Sequence, residues 1–214
     1  MLATRSGAVG LAVTIALTIP ACRRDADVPA APPATSESPV NAPPTERVVG
    51  PLSQEDAQAL ATMNDRLKEY IEVHQKLERT LPAVPKDATP QQIDQNQRAL
   101  EKLVRANRKS AKPGDIFTPE ARPVILRLLA SVFGGPDGKQ LKSSIMDENP
   151  VGIKLAVNSR YPDSVPLSTV PPEVLQTLPK LPEELEYRFI GDRIVLFDLH
   201  AHLIADFIED ALPK

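Results

Sequence analysis

The sequence predicts an α+β fold: an N-terminal helical hairpin and a third, buried helix, packed with a small C-terminal antiparallel β-meander. Three observations predict it. From residue 54 to residue 112, apolar residues recur at spacings of three and four, the repeat of a helix face. From 124 to 133 they fall on nearly every side. After residue 150 apolar and polar residues alternate, the period of a half-buried strand. A helical half followed by a β-rich half is the α+β pattern.

Composition narrows the function classes. The 214 residues are 42% hydrophobic and 25% charged, close to soluble averages. Net charge is -3, aromatics are 4% and Trp is absent. A nucleic-acid surface needs a basic footprint and stacking rings, so none is expected. The single Cys excludes an internal disulfide framework and a Cys-rich zinc site. Pro is over-represented at 23 residues, about twice the ordinary ~5%.

The first element is a targeting segment, residues 1–21. Arg5 precedes an apolar run from Ala8 to Ile19, broken in polarity only by Thr14 and Thr18. Twelve helical residues rise about 18 Å, too short for a ~30 Å hydrocarbon core. A charged start, a short apolar core and small residues at the end describe a secretory signal. Its end, Ile19-Pro20-Ala21-Cys22, resembles the lipobox of bacterial lipoproteins. The resemblance implies cleavage before Cys22, diacylglycerol on its sulfur and acylation of the new amine. Two or three acyl chains anchor stably where one does not. Arg23 and Arg24 follow, with no Asp after the Cys. In such lipoproteins that start implies the outer membrane, facing the periplasm.

Residues 22–52 hold the lipidated Cys and a Pro/Ala-rich tether. Its seven prolines are Pro29, Pro32, Pro33, Pro39, Pro43, Pro44 and Pro51. Without an apolar period it builds no core. Extended at roughly 3.1 Å per residue, it reaches about 90 Å from the bilayer.

The body, 53–214, is one domain: 53–135 helical and 151–210 β-rich. Ser53 with Asp56 forms a variant capping box. Leu60, Met63, Leu67, Tyr70, His74, Leu77 and Leu81 then make a heptad stripe, ended by Pro82 and Pro85. The stripe offers helix 54–81 a route to self-association or to an envelope protein partner; packing inside one chain explains it equally well. Thr89-Pro90-Gln91-Gln92 opens the second helix with an N-cap, a Pro at N1 and a capping-box Gln. Ile93, Leu100, Leu103, Val104 and Ala111 give its apolar side, and Lys112-Pro113-Gly114 stops it. Two helices with a short loop read as an antiparallel hairpin. Thr118-Pro119-Glu120 starts the third helix, Pro123 is placed to kink it, and Gly134-Gly135 closes it.

Ile153, Leu155 and Val157 alternate as a strand. Residues 162–182 read as irregular, with one helical turn around Glu173 to Leu178. Leu185, Tyr187 and Phe189 alternate next, Gly191-Asp192 turns the chain, and 193–198 and 203–208 complete the meander. The run Tyr187-Arg188-Phe189-Ile190-Gly191-Asp192, with Ile194-Val195-Leu196 and Leu203-Ile204, is similar to the hairpin ending of periplasmic nickel/cobalt homeostasis regulator-like proteins. The resemblance covers about 25 residues. It implies the meander and carries no activity.

Catalytic signals are missing: no Gly-x-Ser-x-Gly, His-Glu-x-x-His or Gly-x-Gly-x-x-Gly occurs. Gly138-Lys139 is no phosphate loop, because Phe133 stands where its first glycine belongs and Gln140 follows. An acylated Cys22 is no nucleophile. Asp147-Glu148-Asn149-Pro150 has oxygen ligands without EF-hand spacing and reads as a loop.

Two clusters remain. Asp198, His200 and His202 share one face if the segment is extended, and imidazole with carboxylate suits Zn, Ni, Co or Cu. If the chain turns there, the side chains scatter and the histidines bond locally. His74, inside the heptad stripe, reads as a helix-packing residue. Arg98, Lys102, Arg105, Lys109 and Lys112 line one strip of the second helix, where like charges repel. The strip suits anionic lipid head groups or an acidic envelope polymer, or is a solvated face partly neutralised by the body's own acids. The expected function is a non-enzymatic structural or binding role in a lipid-anchored envelope protein, without a cofactor. The alternative is a periplasmic transition-metal-binding or metal-sensing protein using Asp198, His200 and His202.

Overall fold

The computed structural model describes residues 51–149 and 152–213. The signal segment, Cys22 and the tether up to residue 50 lie outside the described residues. The described elements are α1 (Gln54–Glu78), α2 (Pro90–Asn107), α3 (Ala121–Phe133), α4 (Gly138–Glu148), α5 (Pro172–Thr177), β1 (Leu185–Ile190), β2 (Arg193–Asp198) and β3 (Leu203–Ile208). Five helices precede a three-stranded antiparallel sheet of order β1-β2-β3: the fold is α+β. No helix among the described residues is long and apolar enough to cross a membrane.

The helix starts follow their capping chemistry. Ser53 Oγ accepts from the Asp56 N–H at 3.0 Å. Thr89 and Gln92 form a complete capping box in front of Pro90. The heptad stripe turns inward: Ala59, Met63, Leu67, Tyr70 and His74 are buried, packed with α2 and α3. The apolar side of helix 54–81 is therefore occupied by the core of its own chain.

Three local expectations need correction. The third helix begins at Ala121, with Thr118 Oγ1 accepting the Ala121 N–H at 3.3 Å. Pro123 thus falls in its first turn, where a missing N–H breaks no helical bond, and α3 runs unbroken to Phe133. Residues 138–148 form α4, and Asp147 and Glu148 end that helix instead of lying in a loop. The strand expected over 153–157 does not form. Gly152 (φ 78) and Asn158 (φ 63) bend this stretch out of extended geometry. Only an isolated bridge, Arg160 with Leu203, pairs it to the sheet.

That irregular stretch still has a packing role. Alternation in β2 sends Ile194 and Leu196 to the helices, and Val195 and Phe197 to the other face. Ile153, Leu155, Val165 and Leu167 cover that second face around Tyr161. The register shifts between Leu196 and Phe197, whose partners are Asp206 and Ile204. The extra residue in β3 lets Asp206 follow Ala205 toward the helical side, which is how a bulge re-aims a side chain. Asp206 accepts backbone N–H bonds from Gly114 (3.0 Å), Ile116 (2.8 Å) and Phe117 (2.8 Å). One carboxylate therefore fixes the α2–α3 loop to the sheet.

Candidate metal centre

The last turns of α1 and the β2–β3 connection meet at one point. His74 and Glu78 are four residues apart on α1, hence one above the other on the same face. Residues 199–202 form a turn, and His202 takes a left-handed φ of 52° to close it. The turn delivers His200 to the C-terminal end of α1. His200 Nδ1 lies 2.9 Å from Glu78 Oε1, and the His74 and His200 rings are 5.6 Å apart. One ligand atom from each of His74, Glu78 and His200 lies within 4.8 Å of the others. A cation here also faces the negative end of the helix dipole.

Asp198 supports this group from below. It is fully buried. Its Oδ2 accepts from Tyr70 OH at 2.5 Å and lies 2.8 Å from His74 Nδ1. Its Oδ1 accepts the Ala201 N–H at 2.7 Å, so the same carboxylate caps the turn that carries His200. The approach to His74 is oblique to the ring N–H, and neither ring nitrogen makes an aligned hydrogen bond. Nε2 lies 3.6 Å from Glu78 Oε2. Burial alone would push the His74 pKa down; Asp198, then Glu78 and Glu184, outweigh it and hold it above its ordinary value. Burial, and next the Asp198 charge, push the Tyr70 phenol well up, against the opposing pull of Arg108, whose guanidinium stacks 4.8 Å from the Tyr70 ring centre.

Of the three ligands expected from sequence, the structure brings only His200 into this group. Asp198 is committed to Tyr70, Ala201 and His74. His202 is turned away by its left-handed backbone. Its ring packs edge-on to Phe197 (5.1 Å) and Tyr161 (6.1 Å), with Nε2 3.6 Å from Asp163. Burial and the nearby Arg160 charge push its pKa down. The three side chains do not share a face because 199–202 is a turn and not an extended strand. His74 is buried in the stripe, as its place there predicts; what that reading does not give is its convergence with Glu78 and His200. The signal that could have found it is the His74-x-x-x-Glu78 spacing.

The basic strip is partly neutralised. Arg98 bonds Asp94 (2.8 Å) and Asp163 (2.6 Å), and Arg105 bonds Glu101 (3.0 Å). Arg160 joins the same network through Asp94, Glu101 and Asp163. Lys102, Lys109 and Lys112 remain exposed. A cleft of about 490 Å³ lies between α1 and the α2–α3 loop. Arg66, Glu69, Arg108, Asp115 and Glu120 line it, a mixture of charges that selects no single ligand class.

No family model matches the chain, and no curated protein or solved structure matches it either.

Proposed function

We propose that this chain is a lipid-anchored cell-envelope protein with a non-enzymatic role, whose body binds a divalent transition metal through His74, Glu78 and His200. One observation carries the metal reading. Two imidazoles and a carboxylate converge within 4.8 Å, and the buried one, His74, keeps Nε2 without a hydrogen-bond partner. A buried polar nitrogen left unpaired costs about 1–3 kcal/mol, and a cation at that point removes the cost. Two imidazoles and a carboxylate suit Zn²⁺, Ni²⁺, Co²⁺ or Cu²⁺. Asp198 beside Nδ1 is the outer partner that metal-binding histidines generally have. Ile19-Pro20-Ala21-Cys22 supports the anchor, and Arg23-Arg24 supports the outer membrane.

The chain purified in detergent tests the metal reading by thermal unfolding with Zn²⁺, Ni²⁺, Co²⁺ and Ca²⁺. At one hundred times Kd, a metal bound only by the folded state adds about 2.7 kcal/mol, a rise of roughly 5–10 °C for a body of this size. The rise is expected with a transition metal and not with Ca²⁺. It is lost in His200→Ala and kept in His202→Ala. No rise in the native chain, or loss of the rise in His202→Ala, rejects the site. The anchor is tested separately: Cys22→Ala moves the chain from the membrane fraction to the soluble fraction, and retention of the variant in membranes rejects lipidation.

A further inference from the structure

Three donors leave the shell of a borderline divalent ion incomplete. Structural sites of such ions close with four protein ligands; sites that exchange or bind substrates keep three and leave a position open. Among the described residues, the neighbours that could supply a fourth donor are already engaged. Asp198 has both oxygens occupied, Oδ1 by the Ala201 N–H and Oδ2 by Tyr70 OH beside His74. Glu184 is buried and accepts from Gln75 Nε2 at 2.6 Å. His202 is packed against Phe197 and Tyr161, away from α1.

The walls of the site are also unequal. The His74 side chain has no exposure, whereas those of Glu78 and His200 are 37% and 42% exposed. The protein therefore surrounds the point from the His74 side, and the opposite side faces solvent. The turn that carries the donor on the solvent side is well fixed. The Leu199 N–H donates to Glu184 O at 2.9 Å, Gln97 Nε2 donates to Leu199 O at 3.4 Å, and Asp198 caps the turn. The backbone that carries His200 thus has little freedom to bring a fourth donor out of the turn.

On the metal-binding reading above, on which this rests, we infer that the metal keeps one solvent-facing coordination position that accepts an exogenous small donor, an imidazole nitrogen or a small anion. Such a position allows the metal to be passed to another donor set without unfolding the body.

The test uses the full chain loaded with Co²⁺, whose visible bands report coordination number and ligand type. Imidazole and azide are titrated in turn, with sedimentation run in parallel. The expected result is a saturable band shift at one donor per cobalt, on a chain whose mass cobalt does not change. The shift is absent in His200→Ala, whose half-exposed position leaves the core intact. Cobalt that binds with bands unmoved by saturating donor means a fourth protein ligand, and overturns the inference while the metal reading stands. Cobalt-dependent doubling of mass means the fourth donor comes from a second copy, and overturns it as well. A native chain that binds no cobalt removes the metal reading and the inference together.

Discussion

His74 sits in a hydrophobic stripe with a carboxylate at one ring nitrogen and no aligned partner at the other. Asp198 serves His74, Tyr70 and the turn at once. Asp198→Asn puts an amide N–H₂ where one of these donors points. The expected cost is about 1–3 kcal/mol of stability in urea unfolding, with metal affinity falling about 10–100-fold. A variant with unchanged metal affinity would show that Asp198 only holds the turn. Asp206 offers a cleaner titration, because it lies apart from the metal group. Burial outweighs its four backbone N–H bonds and holds its pKa above the ordinary 3.8. An acid raised in the folded state contributes most stability below its unfolded value, and loses that contribution as pH rises through the folded one. The Asn variant lacks this loss. The gap between native chain and Asp206→Asn is therefore expected to narrow as pH rises from about 4, in paired denaturation series; a widening gap contradicts the assignment. At this scale the sequence was half legible. The two-residue spacing pointed to Asp198, His200 and His202 together, of which only His200 enters the group. The left-handed φ at His202, which separates the three side chains, is a backbone choice that no residue type there announces.

At the scale of elements, periodicity and caps located α1, α2, α3 and the meander, because those elements carry long apolar repeats or complete cap signals. α4 escaped because its buried side reduces to Gly138 and Ile145, too short a repeat to stand out. Its position is set by close approach instead. A methyl placed on Gly138 would lie 1.8 Å from the Phe133 carbonyl oxygen, a backbone atom that cannot swing aside. Gly138→Ala is expected to cost about 1–3 kcal/mol or more, read as a lower urea midpoint. A variant as stable as the native chain would show that α4 can slide off the end of α3. The 153–157 stretch misled for the opposite reason. Its alternation is genuine, but it comes from residues that lie over a sheet face without pairing into the sheet.

At the scale of the whole body, both faces of a three-stranded sheet are covered, one by helices and one by irregular chain. The sheet is short, so the two clusters share β2 as their common wall. The candidate metal group joins the end of α1 to the turn after β2, which links the first described helix to the last hairpin. A bound ion is therefore expected to stabilise the body globally, which is why thermal unfolding is a fitting readout. The heptad stripe, legible as a sequence pattern, could not reveal its partner, since core packing and pairing between chains need the same residues.

The irregular cover on the second face has a further consequence. Three backbone bonds hold it along β3: Asn158 N–H to Ile204 O at 2.8 Å, Ile204 N–H to Ser159 O at 3.0 Å, and Tyr161 N–H to His202 O at 3.1 Å. Those bonds occupy an edge that would otherwise be a template for a foreign strand. Asn158 and Arg160 also tie it to α2 and its C-cap, but its Ile153, Leu155, Val165 and Leu167 are only partly buried, so it opens more readily than the core beneath it. When it lifts, it uncovers both an unpaired strand edge and the apolar side of β2. Self-assembly of this protein under heat would then begin at β3.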